Sequence, residues 1–310
     1  MKIKVLFYTD PHNSDRPPLM RKEDYCEEIL RKQEQLIEPA KGCDLVICGG
    51  DVYHQKNPGR ISHYLVNRLC EIYREFPRLY IVPGNHDFDK RFEEIEYNPL
   101  GTLGRLPNIE IKHREIMQFG GFNFYFFGGG DFFSPSQFLD FVEEEPEHIG
   151  AKVGVFHIPF AVNKSYPFVL WDVKKVLSRF NHIFLGHLHD FQNNDGWITA
   201  PGALSRGSLT IDSSLDREIY YAKGRAVGEN FSVVFEELNV KSSDEVFKME
   251  EKRDNVHQQR AIESFVNYIE KLKIPKGMSK EQLLVFIDKQ DVSEPVKREA
   301  RRILEGLDDV

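Results

Sequence analysis

Five short segments carry side chains that bind cations, and each sits where a β-rich run stops. They are Asp10-Pro11-His12, Gly50-Asp51, Gly84-Asn85-His86-Asp87, His157 and Gly186-His187-Leu188-His189. Carboxylate and imidazole together form a ligand mix that suits Mn, Fe and Zn better than Mg or Ca. An Asp-x-His pair on an extended loop points two ligands the same way. A carboxylate has two oxygens and can bridge two ions. Glycines at 49, 50, 84 and 186 let the backbone turn sharply and let ions approach closely. Two ions roughly 3.5–4 Å apart can activate a bridging water and neutralise charge on a phosphoryl group. Taken singly the segments are ordinary. Asp-x-His usually marks a turn, Gly-Asp is uninformative, and the other two His-bearing motifs are as often polar turns or surface pairs. In this order, each after a strand, they point to a hydrolytic metal site. His12, His54, His86, His157, His187 and His189 lie in or beside these segments, whereas His63, His113, His148, His182 and His257 lack such a context and are read as structural.

The elements that must position these groups alternate. Residues 2–9 form an apolar, β-rich run. Residues 24–38 carry Cys26, Ile29, Leu30, Leu36 and Ile37 close to helical spacing. Residues 44–48 read as a buried strand, and Ile61, Leu65, Leu69, Ile72 and Phe76 recur at helical spacing. Residues 79–82 form another strand. Strand, helix, strand, helix, strand predicts a parallel βαβαβ sheet, and functional groups gather at the carboxyl ends of such strands. Further strands are expected at 109–112, 116–119, 122–127, 153–156, 183–185, 197–200, 217–222 and 231–238. This order fits a layered α/β fold with two packed sheets. After about residue 240 charged helix formers take over, with an apolar stripe at Ile262, Phe265, Val266, Ile269 and Leu272 and a capping box at Ser279 and Gln282. The expected division is a domain at 1–240 and a helical segment at 241–310.

Composition narrows the class. At 310 residues and 41% hydrophobic, the chain can bury a real core. The N-terminal run reads as a first strand and not as a signal peptide, and no apolar run reaches the length of a membrane span. Cys26, Cys43, Cys48 and Cys70 form no CxxC pair, which fits a reducing, cytoplasmic setting without disulfides. A net charge of −8 argues against gripping nucleic acid through overall positive charge, although a metal site supplies positive charge of its own.

As a set, the five segments resemble the calcineurin-like metallophosphoesterase superfamily. The resemblance covers residues 1 to about 235 and implies a four-layered α/β/β/α sandwich, with the C-terminal helices as a small cap or partner-binding segment. It implies two divalent ions, Mn2+ first, with Fe2+, Zn2+ or Mg2+ as alternatives. One ion would be held by Asp10, His12, Asp51 and His189, the other by Asp51, Asn85, His157 and His187, with Asp51 bridging. His86 would donate a proton to the leaving oxygen. Within the superfamily the chain looks most similar to SbcD-type DNA repair exonucleases, the partners of SbcC-type ATPases. Two segments carry this: Gly49-Gly50-Asp51-Val52-Tyr53-His54, with a His three positions after the bridging Asp, and Ala200-Pro201-Gly202-Ala203-Leu204-Ser205-Arg206-Gly207-Ser208. Asn13-Ser14, Phe88 and Ile158-Pro159 depart from that group's pattern.

The expected function is therefore Mn-dependent hydrolysis of DNA phosphodiesters in repair, recombination or replication. His86 would act as acid, held by Asp87 or a backbone carbonyl, His54 would contact the scissile phosphate, and Arg206 the DNA backbone. DNA and an SbcC-type ATPase are the expected partners, with a homodimer as a further expectation and no membrane. A phosphodiesterase or phosphatase for small molecules shares every metal ligand, and a non-catalytic scaffold is the third reading.

Overall fold

The computed structural model describes residues 2–18, 21–22, 24–55, 60–87, 95, 98–129, 134–143, 150–160, 177–194, 196–206, 218–228, 230–247 and 297. Two six-stranded sheets form its frame. The first runs β12 (Asn230–Glu237), β11 (Tyr220–Val227), β1 (Lys2–Tyr8), β2 (Leu45–Cys48), β3 (Leu79–Ile81), β4 (Ile109–Ile111). Strands β1 to β4 are parallel, and β11 joins β1 antiparallel. The second runs β5 (Glu115–Phe119), β6 (Phe122–Phe127), β7 (Ala151–His157), β8 (His182–Gly186), β10 (Ile198–Ala200), β9 (Gln192–Asn194).

Period-two alternation decides which residues face which layer. Ile3, Val5 and Phe7 of β1 point into the space between the sheets, where they meet Phe122, Phe124, Phe126, Val153, Val155 and Phe184. Leu6 and Tyr8 point the other way, against α1 (Tyr25–Glu34), α3 (His63–Arg74) and α4 (Pro99–Leu103). On the outer face of the second sheet, Phe138 and Phe141 of α5 (Pro135–Glu143) pack on Tyr125, Phe127 and Phe156. The order helix, sheet, sheet, helix is the expected sandwich. Each fully buried phenylalanine contributes about 1.5–3 kcal/mol.

Local chemistry sets the helix ends. Asp24 caps α1 by accepting from the Glu27 N–H, and Ser62 caps α3 by accepting from Leu65 N–H at 3.0 Å. The expected single helix over 24–38 is broken into α1 and α2 (Ile37–Ala40). Leu36 N–H bonds back three residues to Gln33, and Pro39 has no N–H to continue the α-helical ladder. Among the described residues no helix is long and apolar enough to cross a membrane. All four cysteines are free thiols.

By contacts the chain divides into Met1–Val246, which ends in the short helix α6 (Ser243–Val246), and Phe247–Val310. The apolar stripe expected over 262–272 and the capping box at 279–282 lie outside the described residues.

Candidate metal centre

Parallel pairing brings the strand ends into line. Tyr8 lies beside Cys48, Cys48 beside Ile81, and His157 beside Gly186. The segments that follow therefore open on one edge, and Asp10, His12, Asp51, Asn85, His157, His187 and His189 come together there. Among the described residues five non-glycines have positive φ, and four of them are Asp10 (51°), His12 (47°), Asp51 (48°) and His187 (87°). Left-handed backbone is costly for residues with a Cβ and clusters at sites where geometry is imposed by function. Gly84 is needed for a different reason: a Cβ there would overlap the carboxylate and backbone nitrogen of Asp51.

Three groups of donor atoms are each compact enough to share an ion: Asp10, His12 and His189; Asp10, Asp51 and His157; His12, His54 and His86. His12 Nε2 is 2.9 Å from His189 Nε2, 3.6 Å from an Asp51 oxygen and 3.8 Å from an Asp10 oxygen. On the other side of Asp51, His157 Nε2 is 3.5 Å from the same Asp51 oxygen and 3.2 Å from Asn85 Oδ1, which is 2.9 Å from His187 Nδ1. Asp51 Oδ2 thus stands between the two groups.

The protonation state of His157 makes the convergence informative. Its Nδ1–H donates to the Gly49 carbonyl at 2.7 Å, so in the neutral ring Nε2 bears a lone pair. That lone pair faces the oxygens of Asn85 and Asp51. Lone pairs aimed at one point repel unless positive charge sits between them. Burial opposes charging of His157, but the Asp51 carboxylate outweighs it and raises the ring to about 9, so without a cation a proton on Nε2 supplies that positive charge and a bound cation would replace it. Asp51 shows the same coupling from its own side: burial raises it, while the imidazoles of His157, His12 and His86 hold it well below the usual carboxylate range. Asp10 Oδ1 is buried without a hydrogen-bond partner, while its other oxygen accepts from Thr9 Oγ1 at 2.5 Å and from the His187 N–H at 3.1 Å. A buried carboxylate oxygen left open and a set of converging lone pairs fit divalent cations bound by Asp, Asn and His.

Beside these donors lies a second histidine pair. The rings of His54 and His86 stack at 5.3 Å and 17°, and both lie edge-on to His12. His86 Nδ1–H donates to the His54 carbonyl at 2.8 Å. Of the two anticipated partners for His86, the carbonyl is the one in contact. Asp87 does not hold His86. Its buried carboxylate accepts the N–H groups of Val52, Tyr53 and Gly84 at 3.1, 3.0 and 2.9 Å and so clamps one loop to the other. Burial and the Asp51 charge raise Asp87 to about 7 against the pull of those N–H groups. Burial, then the His86 ring, lowers His54.

Arg206 also requires a correction. It was expected to reach a substrate, but it is 3% exposed, and its guanidinium donates to the Lys241 carbonyl at 3.1 Å. The physical reason is that the loop after β10 runs back under β1: Leu204 and Ser205 N–H groups bond to the carbonyls of Thr9 and Asp10. Sequence reasoning overlooked Thr9 and Gly49 as partners of Asp10 and His157. Their positions beside two ligand motifs were the available signal.

A family model described as calcineurin-like phosphoesterase matches residues 3–191. No curated protein matches the chain. Solved structures resemble it at low identity. A 5'-nucleotidase precursor from Thermus thermophilus is 9% identical with a TM-score of 0.46, over 86% of this chain and 60% of that one. An NAD nucleotidase from Haemophilus influenzae is 12% identical with a TM-score of 0.41, over 76% and 49%. A purple acid phosphatase from yellow lupin (Lupinus luteus) seeds is 10% identical with a TM-score of 0.47, over 78% and 53%.

Proposed function

The chain belongs to the calcineurin-like phosphoesterases, metal-dependent hydrolases of phosphoester bonds, and we propose that within this family it is a two-metal phosphodiesterase whose substrate is DNA. The observation that carries the reading is the stacked His54–His86 pair beside the converging donors. A histidine three positions past the shared Asp51 is the feature that resembles SbcD-type nucleases, and it packs on the residue suited to be the acid.

In this reading Asp10, His12, Asp51 and His189 would hold one ion, and Asp51, Asn85, His157 and His187 would hold the other. Bound divalent ions supply a hydroxide-like nucleophile at neutral pH and neutralise charge on the phosphoryl group. The protein's own groups do the rest. Gly49 holds the Nδ1–H of His157, so that Nε2 would be the atom offered to an ion. Thr9 and the His187 N–H orient Asp10. The oxygen of a water that has given one proton to solvent joins phosphorus, the bond from phosphorus to the leaving 3' or 5' oxygen breaks, His86 Nε2 passes its proton to that oxygen, and solvent returns a proton to His86. Nδ1–H stays on the His54 carbonyl throughout, so the ring keeps its orientation while it changes charge. An ATPase subunit of the SbcC type would add the positive surface that a chain of net charge −8 lacks.

That same acidic charge favours the second reading, a phosphodiesterase for small molecules. The test uses full-length protein with Mn2+ and 3'-labelled linear duplex DNA, an EDTA control, and an Asn85→Ala, His86→Ala double variant. Metal-dependent release of label that vanishes in the variant supports the nuclease. Turnover of an aryl phosphodiester without DNA cleavage supports the small-molecule reading. No turnover of either, with no metal bound, overturns both.

A further inference from the structure

Two residues past His189 stands a large apolar ring in contact with water. Phe191 is 44% exposed. Its ring centroid lies 4.8 Å from Phe235 in an edge-on arrangement and 5.2 Å from Tyr220, and those two are 6.4 Å apart. The β1–β11 register pairs Phe7 with Ala222. Beyond that pair the place beside Thr9 is taken by Leu204, whose N–H bonds to the Thr9 carbonyl at 2.9 Å. It is the chain itself that places the rings near the phosphoester donors, since Phe191 follows His189 by two residues. The backbone beneath Phe191 is fixed. Ala203 N–H bonds to the His189 carbonyl at 2.9 Å. Gly202, at φ 77°, lies so close under residues 189–191 that a Cβ would meet the His189 carbonyl and the Phe191 nitrogen.

A single exposed aromatic needs no explanation. Three rings packed together on a rigid segment, one of them open to solvent and two residues from a metal donor, form a platform. We propose that Phe191, backed by Tyr220 and Phe235, is the stacking subsite for the nucleobase that adjoins the cleaved phosphodiester. The proposal rests on the reading of this site as one that hydrolyses nucleic acid phosphodiesters. The Tyr220 hydroxyl already donates to Glu218 at 2.5 Å, so the cluster offers ring faces more than a hydrogen-bonding edge. Every base has a π-face, so recognition of this kind tolerates any base. It also requires an unstacked base, which favours single strands and frayed ends.

The competing account is that the rings only close the end of the core between the sheets, since Phe235 also packs there. Substitutions separate the two. Phe191→Leu keeps an apolar side chain but removes the ring face, Phe191→Ala removes both, and Phe191→Tyr restores the ring. Two substrates with one leaving group isolate the base: thymidine 5'-(p-nitrophenyl phosphate) and methyl p-nitrophenyl phosphate. With Mn2+-loaded full-length protein, the Leu and Ala variants are expected to raise KM for the nucleoside ester roughly 5- to 100-fold. Their kcat and their turnover of the methyl ester should stay unchanged, and the Tyr variant should match wild type. Equal losses on both substrates, or wild-type behaviour of Phe191→Leu, overturn the proposal. Calorimetric titration of the same proteins with thymidine monophosphate and with inorganic phosphate provides a readout that needs no turnover. Nucleotide binding that is tighter than phosphate binding and lost in Phe191→Leu upholds the subsite even if neither ester is hydrolysed, in which case only the hydrolytic reading fails. Equal affinities for nucleotide and phosphate overturn the subsite.

Discussion

At His86 the structure separates two tasks that the neighbouring side chains combine. Its ring is tied to a backbone carbonyl through Nδ1 and stacks on His54, whereas Asp51, a few ångströms away, faces both groups of cation donors. Removing a proton donor lowers turnover without emptying the site; removing the shared carboxylate does both. His86→Gln should therefore lower kcat by roughly 10²- to 10⁴-fold with metal content unchanged. Asp51→Asn should lose bound metal as well as activity. Elemental analysis of the purified variants beside their turnover checks both, and a His86→Gln protein that fails to retain metal would move His86 from acid to ligand. The candidate donors were readable from the sequence because each is a cation-binding residue type beside a glycine or a strand end. Phe191 was not, because its meaning depends on Tyr220 and Phe235, which belong to the other sheet and meet it only through side-chain packing. Arg206 misled for the opposite reason: its residue type suggests phosphate, and only the fold shows it buried.

The loops between elements carry the strain that brings the donors together. Four donor residues hold left-handed backbone, and Asp87 ties the loop after β2 to the loop after β3 through three N–H groups. An amide at this position keeps one acceptor oxygen and turns an NH2 group toward N–H donors. Asp87→Asn should cost about 1–3 kcal/mol, read as a lower urea midpoint, and should loosen metal binding because Asp51 and Asn85 lie on the two clamped loops. Gly84→Ala tests the same junction by bulk: a Cβ overlapping Asp51 should abolish metal binding while circular dichroism remains that of a folded protein. A Gly84→Ala protein with wild-type metal affinity would show that the loops have room that the packing denies. Strand ends were legible because short apolar runs stop at Gly, Asp or His. The parallel pairing of β1, β2 and β3 was legible too, but the antiparallel partner of β1 was not. β11 lies more than two hundred residues from β1 in sequence, yet its antiparallel pairing flanks the strand that leads to Asp10. The helices α4 and α5 were also missed, being five and nine residues long with too few turns to show a period.

The two sheets meet across an aromatic layer, and the ring of His182 lies within it. His182 on β8 of the second sheet is fully buried, stacks on Phe231 of β12 in the first sheet at 4.5 Å and 16°, and shares a 2.9 Å hydrogen bond with Thr199. Burial lowers its pKa from 6.5 to about 3. The folded protein thus keeps the ring neutral where the unfolded chain protonates it. Stability from this group is complete above pH 6.5 and falls as pH drops from 6.5 toward 3, by up to about 1.4 kcal/mol per pH unit. Other histidines lowered by burial, among them His113 at about 4, add to the same acid slope, so the measurement that isolates His182 is a difference. His182→Gln loses the ring stack and should be less stable at pH 7, yet its unfolding free energy should decline less steeply between pH 6.5 and 5 than that of wild type. Urea titrations at fixed pH steps, with EDTA present so that metal loading stays constant, give the two slopes. Parallel slopes would mean that the ring takes up its proton in the folded state, and that the layer joining the two sheets admits water where the packing shows none.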